Sequence, residues 1–248
     1  MGELDNLFGK PKFIDGIGDI HPIKMSQWSE FSLFSQVISL RREQFYDAPK
    51  DMKLLDCLFA EIAKNDRRIL PSLIWMFANT LKTENITHGF NEDKQEFVFV
   101  VGAEGEINRD NYDIFRATVM EQNLLLEPKV YPNKITQEWA EKALAFKAKS
   151  NKGITMTMED KITTLASYER KDPEIYLDYT IYKFEAMFQR MCHMKDFDSQ
   201  SILLANPYAA EAVSKSLGHY AQSINLRKSP YDEVFEKESK NSLTNSLK

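Results

Sequence analysis

Apolar positions recur along the chain at two periods, and the switches between them mark the predicted elements. Residues 11–23, PKFIDGIGDIHPI, place Phe13, Ile14, Ile17, Ile20 and Ile23 around Asp15-Gly16, a turn dipeptide. This pattern predicts a short β-hairpin. Ser26 then stands where a helix cap belongs. Trp28, Phe31, Phe34, Val37, Ile38 and Arg41 follow at spacings of three and four, predicting an amphipathic helix to about Gln44. Asp51 is the expected cap of the next helix, whose stripe is Leu54, Leu55, Leu58, Phe59 and Ile62. The stretch Ile69–Leu81, ILPSLIWMFANTL, is apolar nearly all round, and Pro71 falls in its first turn, where a missing N–H is tolerated. Such a helix is expected at the core centre.

Residues 96–101, EFVFVV, are β-branched and aromatic without a breaker and predict the best strand. Gly102–Gly105 turns the chain so that Glu106-Ile107 pairs back, giving a short central hairpin. Asn108 is the expected cap of a helix carrying Tyr112, Phe115 and Val119. After the extended EPKVYP, a helix starts at Thr136 with Trp139, Ala140, Ala143, Leu144 and Phe146. KAKSNKG (147–153) reads as a linker, which divides the chain into residues 1–148, an α+β domain, and 149–248, a helical domain with a flexible tail. In the second part, Thr157 caps a helix to Arg170, and Asp172-Pro173 ends it. A long helix is expected over residues 175–193, a separate one over 197–205, and a short Ala-rich one over 209–221. The alternation of Ile154, Met156 and Met158 with threonines fits either a short strand or the approach to the helix. The fold class is therefore mainly α, a helical protein with a small N-terminal β-hairpin and a short central β-hairpin (α+β).

Composition changes this picture little. The 248 residues carry 43% apolar and 28% charged side chains, ordinary for a globular chain with a sizeable core. Sixteen Phe and ten Tyr argue against disorder. A net charge of −5 with dispersed Lys and Arg offers no phosphate-tracking surface, so nucleic acid is not an expected partner. The chain opens without a basic, then apolar, leader, and its longest apolar stretch is too short and polar for a bilayer. No membrane contact and a cytoplasmic location are expected. Cys57 and Cys192 read as reduced small hydrophobes, with one long-range disulfide as the alternative.

Familiar chemistries find no pattern to support them. His193 adjoins Cys192, but no second His or Cys lies three or four residues away, and His21, His88 and His219 are isolated. Gly16-Ile17-Gly18 lacks the third glycine of a dinucleotide loop, since His21 occupies that place. There is no phosphate-binding GxxxxGK[ST] loop and no GxSxG turn. The carboxylate pairs Glu159/Asp160, Glu104/Glu106 and Asp110/Asp113 read as helix N-terminal partners and solvated faces. No catalytic residue, metal or cofactor is expected. Two aromatic groups are the candidates for protein binding. Tyr176, Tyr179 and Tyr182 form a stripe that fits either core or a partner surface. Tyr231 and Phe235, in PYDEVF near the C-terminus, either pack back on the chain or dock in a partner's groove.

Several phrases in order along the chain carry a resemblance: LFGKP with IDGIGDIHPIK, INRDNYDIFR, EPKVY with WAEKAL, ITMTMED, and ANPYA with SPYDEVF. Together they resemble tail morphogenesis proteins of tailed bacteriophages from Gram-positive hosts, most closely tail assembly chaperones. The resemblance implies a non-enzymatic factor in the host cytoplasm that binds the tape-measure protein and recruits tail-tube subunits, with no cofactor. It is compatible with an oligomer. The chain is longer than a typical chaperone of this kind, which keeps a structural baseplate or tail-tip subunit open as a second reading. An enzyme with a site of unfamiliar pattern is the third, and would need a pocket lined by perturbed carboxylates or a His.

Overall fold

The computed structural model describes residues 3–64, 68–103, 105–131, 134–150, 156–206, 208 and 219–227. Its class is mainly α with a two-stranded hairpin and a three-stranded sheet. Helix α1 (Glu3–Leu7) precedes strands β1 (Lys12–Ile14) and β2 (Gly18–Ile20), which pair antiparallel across the Asp15-Gly16 turn. Gly16 takes φ +75°, a value open to glycine at little cost, which is why Asp-Gly closes the hairpin.

The helix expected from Ser26 to Gln44 is instead broken into pieces. A 3₁₀ turn, Met25–Gln27, leads into α2 (Trp28–Phe34) and α3 (Gln36–Ser39), and a second 3₁₀ turn covers Arg42–Gln44. Ser26 caps nothing, because Lys24 occupies the position before the turn. Three serines (Ser32, Ser35 and Ser39) weaken the helical run, and the Ser32 hydroxyl bonds back to the Ser29 carbonyl. Downstream, α4 (Leu54–Ala63) has Lys53 rather than Asp51 before its first residue. Helix α5 (Ile69–Leu81) buries Ile69, Leu73, Met76, Phe77 and Thr80 and runs through the middle of the core as expected.

The central sheet has one strand more than the sequence pattern predicts. Strand β4 (Glu96–Val101) lies between β3 (Ile86–Asn91) and β5 (Gly105–Ile107), both antiparallel to it. Strand β3, ITHGFN, carries Gly89, His88 and a largely exposed surface, so no alternation announces it. What holds it is full pairing to β4, with Phe90 edge-on to Phe97 at 5.0 Å. Phe99 of β4 meets Phe59 at 5.0 Å and Phe77 at 4.9 Å, so the sheet packs on α4 and α5 through aromatic contacts.

Helix α6 (Tyr112–Gln122) starts at a turn organised by both Asn108 and Asn111. The Asn108 side chain accepts from the Asp110 and Asn111 amides, and Asn111 accepts from the Asn108 amide. The cap is therefore Asn111 and not Asn108 as expected, although Asn108 helps to shape the turn. Buried Arg116 donates to the carbonyls of Ile38 (2.6 Å) and Ser39 (3.4 Å), satisfying oxygens left open at the end of α3. Helix α7 (Lys134–Ser150) takes in the first four residues of the predicted linker, since Lys147, Ala148 and Lys149 are good helix formers. Residues 151–153 lie outside the described set. In α8 (Met158–Glu169), Thr157 is the cap, in a capping box with Asp160.

Two expectations about the C-terminal helices are corrected. Residues Pro173–Asp178 form a 3₁₀ turn, not the start of a helix, and α9 begins at Ile181 with Thr180 as cap. From there α9 (Ile181–Leu204) runs unbroken through the gap expected before Phe197, because HMKDF holds neither Gly nor Pro. The Ala-rich helix expected over residues 209–221 lies mainly outside the described residues.

Buried side chains from Ile14 through Met120 and from Leu165 through Met191 form one hydrophobic cluster. The segment Ile20–Met25 joins strand β2 to the first 3₁₀ turn and buries Ile20, Pro22, Ile23 and Met25. Gln122 donates to the Ile20 carbonyl (2.9 Å), the Asn123 side chain accepts from the Ile23 amide (2.8 Å), and the His21 amide donates to the Thr80 carbonyl (2.7 Å). The Met25 amide donates to Tyr179, and the Ile181 amide donates to Ile23. Replacing Asn123 by Ala strands the buried Ile23 amide and should lower unfolding free energy by about 1–3 kcal/mol in urea titration. A Cβ on Gly105 would sit 2.8 Å from the carbonyl oxygens of both Ile17 and Val101. Gly105→Ala is therefore expected to cost about 1–3 kcal/mol in the same measurement.

Candidate functional site

The three tyrosines expected to form a stripe are separated by the break in the helix. Tyr176 sits in the 3₁₀ turn, Tyr179 ends it, and Tyr182 is the second residue of α9. Tyr176 is fully buried, edge-on to Tyr179 (5.4 Å) and to Phe184 (5.9 Å), and its hydroxyl donates to Glu169 Oε2 at 3.0 Å. Burial, then the bond to the Glu169 carboxylate, pushes its pKa up to about 12. Tyr179 is partly buried beneath the Lys183 ammonium, which lies 3.8 Å from the ring centroid. Tyr176 and Tyr179 are therefore core and support. Tyr182 alone of the three lines an open groove. Tyr231 and Phe235 lie outside the described residues.

That groove is a cavity of about 530 Å³ between α1, α8 and α9, closed on one side by residues 223–226. Its lining includes Leu4, Tyr168, Tyr182, Met187, Met191 and Met194. The methionines recur at spacings of four and three on α9, so one helix face presents all three. Thioether side chains are flexible and polarisable and adapt to varied apolar partners. Arg190 borders the groove and donates to the carbonyls of Tyr220 and Gln222, holding the adjoining segment against α9. The four-and-three spacing of Met187, Met191 and Met194 was a signal available in the sequence beside the tyrosine stripe.

A second, larger groove of about 970 Å³ opens between α2, α3, α4 and the start of α5. Phe34, Val37, Leu40, Phe45 and Met52 line it, and Leu33 (68% exposed) and Tyr46 (71%) stand at its edge. The Arg42 guanidinium shapes its floor by donating to the carbonyls of Phe45, Ala48, Pro49 and Met52. Cys57 opens onto this groove, and burial raises its pKa, so the thiol stays protonated at neutral pH. Both cysteines are free, which removes the disulfide alternative.

The polar candidates have structural occupations. Asp160 is held below the usual carboxylate range by the Thr157 amide and hydroxyl of the capping box. Glu106 is likewise lowered, first by Asn108 and then by Lys94. His193 Nδ1 lies 3.1 Å from Gln222 Nε2, His219 stacks on Tyr220 at 4.4 Å, and His88 meets the edge of Phe99 at 5.9 Å. Among the described residues, no group of three His, Cys, Asp or Glu side chains converges as metal ligands would, and no helix is long and apolar enough to cross a membrane.

Comparison with known proteins matches residues 147–225 to one family, the YomV second domain, a phage-associated family. The match covers α8, α9 and most of the methionine groove. No curated protein and no solved structure matches the chain.

Tyr176→Phe removes the hydroxyl bonded to Glu169 and should lower stability by about 1–2 kcal/mol at neutral pH. The folded-state pKa is raised, from 10 to about 12, so the neutral phenol's contribution is complete below pH 10 and lost as pH rises through 12. Denaturant titrations of both forms across that window should show the wild type's advantage shrinking.

Proposed function

We propose that the chain is a non-enzymatic, chaperone-like phage tail assembly factor that binds tape-measure and tail-tube proteins in the host cytoplasm. The observation that carries this reading is the methionine groove between α1, α8 and α9, most of whose lining lies in the segment that resembles a phage-associated domain. The resemblance of the whole sequence to tail morphogenesis proteins supports the same direction.

Physically, the groove suits an amphipathic helix laid with its apolar face inward. Burying one aliphatic or aromatic anchor contributes about 1.5–3 kcal/mol. Three such anchors offset the cost of association only modestly. Binding of that strength covers an aggregation-prone segment and still yields to a tube subunit that binds better, as an assembly factor requires. The Asp160 carboxylate is engaged in the capping box with Thr157, which is in keeping with contact through the apolar grooves.

Quantitative mass spectrometry on infected cells and on purified virions tests the role. The protein should be abundant in lysate and absent from mature particles. Stoichiometric presence in virions would replace this reading with a baseplate or tail-tip subunit. Met194, exposed at the groove edge, provides the site test. Met194→Glu should weaken binding of purified tape-measure protein at least tenfold in a titration, with the folded state unchanged by circular dichroism.

A further inference from the structure

We infer that α7 is a self-association helix through which two copies of this chain pair antiparallel. Three large side chains on it are exposed: Ile135 (64%), Trp139 (71%) and Phe146 (74%). With Lys142 they follow a four-three-four spacing, which places all four on one stripe, alternating as the two seam positions of a coiled coil. Among the described residues, α7 makes no extensive packing contact with another element. Most of the stability of a helix in a protein comes from packing its apolar face, which for the 17 residues of α7 is left to a partner.

The identity of the occupant follows from the interruption of the stripe. Lys142 is a cation in the seam, so whatever covers α7 must meet it with something other than aliphatic surface or another cation. A parallel second copy fails this condition, because Lys142 would face Lys142 and Trp139 would face Trp139. An antiparallel copy satisfies it at every layer. With the twofold axis at the Ala140–Glu141 peptide, Ile135 faces the second copy's Phe146 and Trp139 faces the second copy's Lys142. Each ammonium then lies against an indole face, the aromatic ring that binds cations best. Glu138, one turn before Lys142 on the same helix, adds negative charge beside the layer, and opposed helix dipoles favour the same orientation. This pairing sets Ile135 on Phe146 and the cation on the larger aromatic surface, the indole.

Area sets the strength. Three large side chains per copy, at roughly 150 Å² each, bury about 900 Å² in the pair. This lies just below the lower bound of about 1,200 Å² for stable interfaces, with the Lys142 stem and Ala143 adding to it. The dimer is accordingly concentration-dependent, not obligate. It rests on α7 alone and stands independently of the proposed role in tail assembly.

Sedimentation velocity on the full chain over a concentration series tests it. A monomer–dimer equilibrium is expected. Trp139→Glu should weaken association at least tenfold, and Lys142→Glu should also weaken it, each with unchanged circular dichroism. For orientation, Cys57 and Cys192 are replaced by Ser and single cysteines are introduced as Ile135→Cys and Phe146→Cys. Oxidation of the mixed variants should give the 135–146 heterodimer in preference to either homodimer. A wild type that stays monomeric throughout, a dimer indifferent to Trp139→Glu, or preferential 135–135 cross-linking would each overturn the proposal.

Discussion

The fold depends on how the backbone of Ile20–Met25 is satisfied. The segment runs through the protein interior, where each unpaired amide or carbonyl costs as much as a lost hydrogen bond. No neighbouring strand supplies a full ladder. Its groups are met one at a time instead: by the Thr80 carbonyl at the end of α5, by Gln122 and Asn123 at the end of α6, by Tyr179 ahead of α9 and by Ile181, its first residue. Pro22 contributes by carrying no amide to satisfy. A segment held from several sides in this way sets where α5, α6 and α9 end relative to one another. The grooves between helices inherit that geometry.

Elements whose signals are local are the ones legible in the sequence. Asp15-Gly16 fixes the first hairpin through a backbone conformation that glycine adopts freely. Ile69–Leu81 declares itself by unbroken apolar content, and Thr157 by its capping-box spacing to Asp160. Where partners are remote, the pattern was silent or misleading. Strand β3 is polar and glycine-bearing because β4 supplies its hydrogen bonds, so no side-chain alternation was required of it. The turn at 173–178 keeps helix-like spacing of Tyr176, Tyr179 and Tyr182, yet Pro173 and the pairing of Tyr179 with Met25 hold that stretch out of α9. This is also why the candidate site was only partly legible. The spacing brought three tyrosines to notice, and tertiary contacts buried one, half-buried the second and left Tyr182 on a groove whose main lining is methionine.

The distribution of polar groups complements that of the apolar ones. Arg42 donates to backbone carbonyls and Arg116 to the Ile38 and Ser39 carbonyls and to Glu127, while Asp160 and Glu106 accept at a cap and a turn and Glu169 accepts from the Tyr176 hydroxyl. Charged side chains here act as internal fasteners. Adaptable apolar surface remains at the methionine groove, at the larger groove above Arg42 and along α7, three places on different elements.

The matched segment begins at residue 147, whereas the hydrophobic cluster draws its buried side chains both from Ile14–Met120 and from Leu165–Met191. Cut out alone, the matched segment would keep Tyr179 and Ile181 but lose the Ile20–Met25 backbone that each of them bonds, so its edge is not an edge of the packed interior.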